Sequence, residues 1–284
     1  MKIDYISDLH LDFWISKFNP ANSNTLGQIE SYIEMIGLKG GEVLLIAGDL
    51  GHYFGQDALF LEMVKEMYEH VMIVPGNHDM YLVSSSKQKK YKWNSMNRIL
   101  EMKEWCKKIG VDYLDGQTVE INGIKFAGCG MSWDKSFYER VEQRLVEDME
   151  VHQFYNNIMN DSRLIFSGNE TKQTTHRGTT KFNPFKFFEQ EMEKLRGIES
   201  ADVMLSHYPP IIPYQAGNRY ARDPISTFFM FYGDPEVERI KPKVWVFGHM
   251  HSHYDLEKLG TRFLCNPLGY PGENTYTQVK SFEL

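Results

Sequence analysis

Short apolar runs separated by segments of helical periodicity give this chain its hydrophobic pattern. The five runs span residues 2–7, 43–47, 71–74, 202–205 and 244–247. Runs of this length are typical of strands covered on both faces, because a parallel sheet buries both of its sides. Two further stretches, 262–265 and 276–282, predict closing strands.

The intervals between these runs carry mostly helical patterns. Helices are predicted at 25–36, 58–70, 93–109, 137–159, 184–196 and 235–240, with Asp57 as the cap of the second. The polar and basic segment 84–92 predicts an exposed loop, and Asn122-Gly123 predicts the two-residue turn of a β-hairpin. Strands that alternate with helices are most simply joined by right-handed crossovers, so the predicted fold class is α/β.

One long segment departs from this alternation. Between residues 131 and 181 the pattern becomes irregular, and its polar tract at 167–180 has no apolar periodicity. We interpret 131–181 as an insertion or lid within a single domain that spans 1–284. A chain of 284 residues is ample for one buried core.

Composition and charge exclude several classes of protein. A net charge of -7 argues against general binding to a nucleic-acid backbone. The three cysteines lie far apart in the sequence, so neither a disulfide framework nor a zinc knuckle is expected. The first residues carry carboxylates where a signal peptide needs an apolar stretch, and no apolar run approaches the roughly 20 residues of a membrane span. We therefore predict a cytoplasmic protein without membrane contact, whose oligomeric state the sequence leaves open.

Each of the five apolar runs is followed by side chains that can bind a metal ion. Ligands collect at the carboxyl ends of strands in open α/β sheets, so residues far apart in sequence can converge there. A mixture of imidazoles with carboxylate and amide oxygens suits Mn, Fe, Zn or Ni better than Mg or Ca, which prefer oxygen. The seven candidate ligands are Asp8, His10, Asp49, Asn77, His207, His249 and His251.

Seven ligands are too many for one ion and match two ions that share a bridge. Asp49 is the candidate bridge, because a carboxylate has two oxygens and this residue is central in the order of strands. Two ions about 3.5–4 Å apart would orient a bridging hydroxide for attack on a phosphate ester and neutralise charge on its phosphoryl oxygens. The expected cofactor is therefore a pair of divalent ions.

Five motifs, taken in order, resemble those of the calcineurin-like metallophosphoesterases. They are Asp8-x-His10, Gly48-Asp49, Gly76-Asn77-His78-Asp79, His207 and Gly248-His249-x-His251. The resemblance covers nearly the whole chain. It implies a two-sheet β-sandwich flanked by helices, and hydrolysis of a phosphate monoester or diester.

The resemblance also implies a role for each matching residue. Asp8, His10 and His251 would bind the first metal, Asn77, His207 and His249 the second, and Asp49 would bridge them. His78 would protonate the leaving-group oxygen, because an expelled alkoxide needs a nearby acid. Asp79 would orient the His78 ring.

A narrower likeness concerns three other parts of the chain. Trp133, the stretch 159–165 and the stretch 262–270 resemble a branch of small, stand-alone bacterial and phage phosphoesterases. The chain departs from the serine/threonine protein phosphatases, which carry an arginine shortly after Gly-Asp and a glutamate after Asn-His. Asp49 is followed here by Leu-Gly-His, and His78 by Asp79. A protein phosphatase is therefore one alternative function, and a metal-binding regulatory module without turnover is another.

Two residues are candidate substrate contacts. His52 follows the Gly48-Asp49 turn and would border the pocket, unless it is an ordinary loop histidine. Arg163 would bring a guanidinium fork that matches phosphate oxygens, unless it forms a salt bridge that holds the lid. The expected substrate is a small-molecule phosphate ester or a nucleotide.

Overall fold

The apolar runs form the strands of two mixed sheets. The computed structural model describes residues 1–15, 24–168, 179–213, 219–273 and 277–284. The first sheet has the order β11-β1-β2-β3-β4, and only its edge strand β11 is antiparallel to its neighbour among the residues described. Its strands are β1 (Lys2–Ile6), β2 (Gly41–Ile46), β3 (Tyr68–Ile73), β4 (Asp112–Tyr113) and β11 (Lys280–Glu283).

The second sheet has the order β5-β6-β7-β8-β10-β9. Four strands in its middle run parallel, and an antiparallel strand pairs at each edge. The strands are β5 (Thr118–Ile121), β6 (Ile124–Cys129), β7 (Val203–Ser206), β8 (Val244–Phe247), β9 (Tyr254–Lys258) and β10 (Thr261–Cys265). The two-sheet α/β architecture expected from the sequence is confirmed.

Helices cover the outer faces of both sheets. They are α1 (Leu11–Trp14), α2 (Asn24–Met35), α3 (Phe54–Met67), α4 (Ser85–Lys90), α5 (Ser95–Ile109), α6 (Ser136–Glu142), α7 (Asp148–Ile158), α8 (Asp161–Leu164), α9 (Pro184–Gly197) and α10 (Asp234–Ile240). Short 3-10 turns lie at His78–Met80, Arg219–Arg222 and Pro224–Phe229. Helices α2, α3 and α5 pack on the first sheet, and α7, α9 and α10 pack on the second.

Strand β2 illustrates why its sequence is apolar throughout. Val43 and Leu45 point into the core between the sheets, whereas Leu44 and Ile46 point into the core under the helices. Successive side chains of a strand point to opposite faces, so a strand covered on both sides cannot alternate with polar residues.

Three of the sequence predictions are wrong in detail. Segment 84–92 was predicted to be a loop but contains α4. This helix buries none of its side chains, so its sequence has no apolar periodicity. Ser84 caps the helix, because its side chain accepts the Lys87 backbone N–H. The helix predicted at 137–159 is two helices, since Gln143 adopts a left-handed conformation that ends α6. Residues 68–70 continue β3 rather than α3, because they pair with β2.

The predicted cap of α3 is wrong, whereas the predicted hairpin turn is confirmed. Asp57 does not cap α3: it is buried inside the first turn, where its carboxylate lies 2.9 Å from the guanidinium of Arg98. The hairpin at Asn122-Gly123 is confirmed, and both turn residues have the positive φ that this turn requires. The polar tract at 167–180 lies mostly outside the described residues, and the designation of 131–181 as an insertion in a single domain stays a prediction.

Candidate metal centre

The carboxyl ends of five parallel strands meet at one edge of the two sheets. Strands β1, β2 and β3 of the first sheet and β7 and β8 of the second each end there. The loops that follow them carry the seven candidate ligands. Three overlapping groups of three acidic or imidazole side chains lie there within ligand distance of one another: Asp8, His10 and His251; His10, Asp49 and His78; and Asp49, His207 and His249.

The first group lies at the more open side of the centre. We call Asp8, His10 and His251 the outer group. His10 Nε2 lies 3.1 Å from His251 Nε2, and His251 Nε2 lies 3.5 Å from Asp8 Oδ1. These donor atoms can therefore reach one ion.

The second group lies deeper, and we call Asn77, His207 and His249 the inner group. His207 Nε2 lies 3.1 Å from Asn77 Oδ1 and 3.2 Å from His249 Nδ1. Asp49 stands between the groups, with its Oδ2 atom 3.4 Å from His207 Nε2 and 3.8 Å from His10 Nε2. All seven candidate ligands are thus brought together.

The spacing and orientation of the imidazoles fit divalent ions. Two nitrogens bound to one ion at about 2.0–2.1 Å lie about 3–3.4 Å apart, depending on the angle between them. In both groups, ring nitrogens face each other at such a distance. A ring nitrogen on the far side of each of three histidines lies near an oxygen, which fixes the ring with its other nitrogen toward the centre. These partners are the Ala47 carbonyl for His207, the Phe228 carbonyl for His249 and the Glu273 carboxylate for His251.

The backbone has an unusual conformation at most of the candidate ligands. Five of the seven residues adopt a left-handed conformation with positive φ: Asp8, His10, Asp49, His249 and His251. Such conformations are uncommon outside glycine and concentrate at functional sites. Gly48 leaves the space that the centre needs, because a Cβ there would lie 2.5 Å from His207 Nδ1.

Burial and charge set the protonation of the inner residues. Burial would raise the pKa of Asp49, but the neighbouring imidazoles of His207, His78 and His10 outweigh it and hold this pKa well below its usual range. Burial would lower the pKa of His207, but the Asp49 carboxylate outweighs it and raises the pKa to about 9. An anionic oxygen therefore lies between the two groups.

His78 lies beside the metal ligands, with a partner at each ring nitrogen. Its Nδ1 atom lies 2.9 Å from His52 Nε2, and its Nε2 atom lies 3.1 Å from the Tyr270 hydroxyl. His52 is held in turn by Asp12, whose carboxylate lies 2.7 Å from His52 Nδ1 and accepts the His52 backbone N–H. Burial lowers the pKa of His78 to about 3, so its ring is neutral at neutral pH.

Asp79 does not occupy the position that the sequence analysis expected. Its carboxylate accepts the backbone N–H groups of Asp49, Leu50 and Gly76 at 2.7–3.1 Å. It therefore holds the loop after β2 against the loop after β3, whereas the His78 ring is held by His52. His52, expected as a substrate contact, is a neighbour of His78.

Three further residues of the site have contacts that the sequence did not predict. Tyr81 stacks on His78 with ring centroids 4.4 Å apart, and Tyr270 packs against His10 at 4.6 Å. Asp161 accepts a hydrogen bond from Asn77. Arg163 lies in the same short helix, 3.4 Å from the Asn157 carbonyl, and its phosphate-clamp role stays a prediction. Tyr270 and Asp161 both lie in the stretches that resemble a branch of phosphoesterases. That resemblance was the feature of the sequence that could have pointed to them.

Known proteins resemble this chain over most of its length. The calcineurin-like phosphoesterase family matches residues 1–253. Uncharacterized protein L509 of Acanthamoeba polyphaga mimivirus is 22% identical over 278 residues, which cover 95% of this chain and 91% of that protein. The crystal structure of phosphopantetheinyl hydrolase from Mycobacterium tuberculosis superimposes with a TM-score of 0.66 at 17% identity, covering 99% of this chain and 95% of that one.

These matches extend over most of the chain and include its candidate ligands. Within the described residues, no helix is both long enough and apolar enough to cross a membrane. A family match of this extent identifies a metal-dependent phosphoesterase in general terms. The chain belongs to the calcineurin-like phosphoesterase family.

Proposed function

We propose that this protein hydrolyses a phosphate monoester or diester at a centre that holds two divalent ions. The observation that carries the proposal is the position of Asp49 between two complete sets of donors. The outer group would hold one ion and the inner group the other, with Asp49 shared between them. Mn, Fe, Zn or Ni suits this mixture of imidazole, carboxylate and amide donors.

The protein's own residues would prepare the site for two ions. When bound, the ions supply an activated water for attack and positive charge for the phosphoryl oxygens. The far-side partners of His207, His249 and His251 keep each ring aimed at the centre. Asp79 keeps Asp49 in register with Asn77 by binding the backbone of both loops.

His78 would supply the proton that the leaving-group oxygen needs. Its neutral ring carries one proton, and His52 decides which nitrogen holds it. When His52 is protonated against Asp12, the His52 Nε2–H donates to His78 Nδ1, and the His78 proton then lies on Nε2. Transfer of that proton to the leaving oxygen would let His78 Nδ1 take the proton of His52.

This relay removes a difficulty raised by the pKa of His78. A group with a pKa of about 3 is a poor acid at neutral pH if it must first become an imidazolium. In the relay the His78 ring gives one proton and receives another, so it stays neutral. The proton that it passes to the leaving oxygen is replaced from His52, which ends neutral with its Nδ1–H toward Asp12.

The substrate class is expected to be a small-molecule ester or a nucleotide. The acidic net charge of -7 disfavours an extended nucleic acid. A screen with Mn²⁺ or Ni²⁺ would compare aryl phosphate monoesters and diesters, nucleotides, phosphopeptides and a phosphopantetheinyl ester. The last is included because a protein of similar fold is a phosphopantetheinyl hydrolase. Absence of metal-dependent hydrolysis of every ester would contradict the proposed function.

The role of His78 can be tested with a series of leaving groups. We expect His78→Ala to slow hydrolysis of esters with poor leaving groups by about 10²–10⁴-fold and that of activated aryl esters far less. His70→Ala is the matched control, since His70 lies in the same strand-and-loop unit but toward the opposite end of β3. Equal losses of rate for good and poor leaving groups would contradict the role of His78 as an acid. They would not contradict the proposed two-metal centre.

A further inference from the structure

A buried carboxylate lies directly behind one of the candidate metal ligands. Asp161 Oδ1 accepts a hydrogen bond of 2.9 Å from Asn77 Nδ2. The other end of the same amide, Asn77 Oδ1, lies 3.1 Å from His207 Nε2 in the inner group. Asp161 is 2% exposed and comes from α8, in a segment far from the ligand-bearing strands in sequence.

An amide can present either of two chemically different ends to a metal. Its oxygen has lone pairs that bind a cation, whereas its NH₂ group has only hydrogens to offer. The two ends have nearly the same shape, so packing alone selects weakly between them. A carboxylate oxygen accepts hydrogen bonds, and it therefore draws the NH₂ end toward itself and turns the oxygen toward the centre.

We propose that Asp161 is a positioning residue that fixes the Asn77 amide with its oxygen toward the inner metal. The inference rests on the proposed two-metal centre and assigns a role in it to a residue outside the ligand set. Asp161 acts through Asn77 and touches neither substrate nor ion.

Tyr81 supports this arrangement from a second direction. Its hydroxyl also donates to Asp161 Oδ1, and its ring stacks on His78. Burial raises the pKa of Asp161, and the hydrogen bonds from Tyr81 and Asn77 oppose that rise. One carboxylate thus accepts hydrogen bonds from Asn77 and from Tyr81, the residue that stacks on His78. This would give the stretch 159–165 a function at the site.

Metal titration of the metal-free protein tests the proposal without relying on turnover. Asp161→Asn keeps the shape but replaces an oxygen that only accepts with an amide that can also donate, so the Asn77 amide loses its fixed orientation. We expect one of two Mn²⁺ or Zn²⁺ binding events, measured by calorimetry, to weaken by about 10–100-fold. The other event should change by less than about threefold.

Asp134→Asn is the matched control. Asp134 is also a largely buried carboxylate between residues 131 and 181, but it accepts the backbone N–H groups of Ser136 and Tyr232. This variant should bind both ions with wild-type affinity.

A double-mutant comparison separates positioning from general damage to the fold. Asn77→Ala removes the amide, and adding Asp161→Asn to it should then cost no further affinity. Asp161→Ser replaces Asp161→Asn if the latter cannot be isolated as a folded protein, and the same loss at one site is expected. Wild-type affinity at both sites in the Asp161 variant, or an equal loss at both sites, would overturn the inference. A wild-type protein that binds fewer than two ions would instead contradict the proposed function.

Discussion

The outer and inner groups of the proposed metal centre are built from similar residues but differ in how firmly those residues are held. In the inner group, His207 is fully buried, and His207, His249 and Asn77 are each fixed by a second partner at the far end of the side chain. In the outer group, His251 is 19% exposed, and its partner Glu273 is 42% exposed. His10 Nδ1 is buried and has no hydrogen-bond partner in the described part of the chain.

This difference shows that the number of ligands does not by itself determine a metal site. Ligands held by other groups lose less freedom when an ion binds, so their site has the higher affinity. The inner group draws its partners from Ala47 directly after β2, from Asp161 in α8 and from Phe228, all of which are buried. In the outer group, Asp8 is buried and accepts the His249 backbone N–H, but His251 is held by the exposed Glu273. We therefore expect tighter binding and slower exchange at the inner site, and earlier loss of the outer ion to a chelator.

The largest effect is expected from the residue that both halves share. Asp49→Asn replaces the anionic oxygen between them with a neutral amide, so both ions lose their common ligand. We expect hydrolysis of an activated aryl phosphate to fall by about 1,000-fold or more, which corresponds to about 4 kcal/mol in the barrier. Bound metal, measured after desalting, should fall below two ions per chain.

Asp255→Asn provides the control for Asp49→Asn. Asp255 lies on the edge strand β9, where its exposed carboxylate pairs with Arg262. This variant should keep wild-type metal content and activity. Unchanged metal content and hydrolysis in Asp49→Asn would rule out a shared ligand, and the two halves would then be independent sites.

The sequence predicted the ligand set better than it predicted the residues that orient it. Each ligand follows an apolar run directly, and strand ends of parallel sheets must meet at one edge, so seven residues could be placed together by pattern alone. The pattern also gave the α/β class, whereas the division into two sheets came from the family resemblance. Edge strand β9 was missed because its side chains alternate between exposed and half-buried and include charged residues.

The residues that orient the candidate ligands and His78 are harder to predict from sequence. Asp79 stands next to His78 in sequence, yet its carboxylate points to the backbone of the loop after β2. The group that does reach His78 is His52, 26 positions away, and Asp12 lies behind it. Such contacts depend on loop conformations with positive φ, which neither propensity nor periodicity encodes.

The second-largest effect is expected from pH, because metal binding at the inner site should depend on pH more strongly than metal binding at the outer site. In the metal-free protein the pKa of His207 is about 9, above its ordinary value of 6.5, so a proton occupies the inner group at neutral pH. An ion must displace this proton, and inner-site affinity should rise about tenfold per pH unit up to pH 9, or about 100-fold between pH 7 and 9. Burial holds the pKa of His10 well below its usual range, so this outer histidine has no proton to release at neutral pH.

The same proton also contributes to the stability of the metal-free protein, with a definite sign. Because the folded pKa of His207 lies above the unfolded value, its contribution is fully present below about pH 6.5 and is lost as the pH rises through about 9. Calorimetry in buffers of different ionisation enthalpy would count the protons released per ion. Inner-site affinity that is independent of pH between 7 and 9 would show that His207 is already neutral.

The smallest effect is expected from the exposed partner of the outer group. Glu273→Gln keeps an oxygen near His251 Nδ1 but removes the negative charge, so the ring is held less firmly and becomes a weaker donor. We expect the affinity of the outer site for its ion to fall by about tenfold and the affinity of the inner site to stay unchanged. Tenfold is the smallest loss typical of such partners, and we expect it here because Glu273 is exposed to solvent.

Glu257→Gln is the matched control, because Glu257 is an exposed glutamate on β9, and it should change neither site. A chelator titration that removes the two ions in sequence measures both affinities on one sample. If Glu273→Gln weakened binding at the inner site as much as at the outer site, the two sites would not be independent. The firmer hold on the inner ligands would then not explain a difference in affinity.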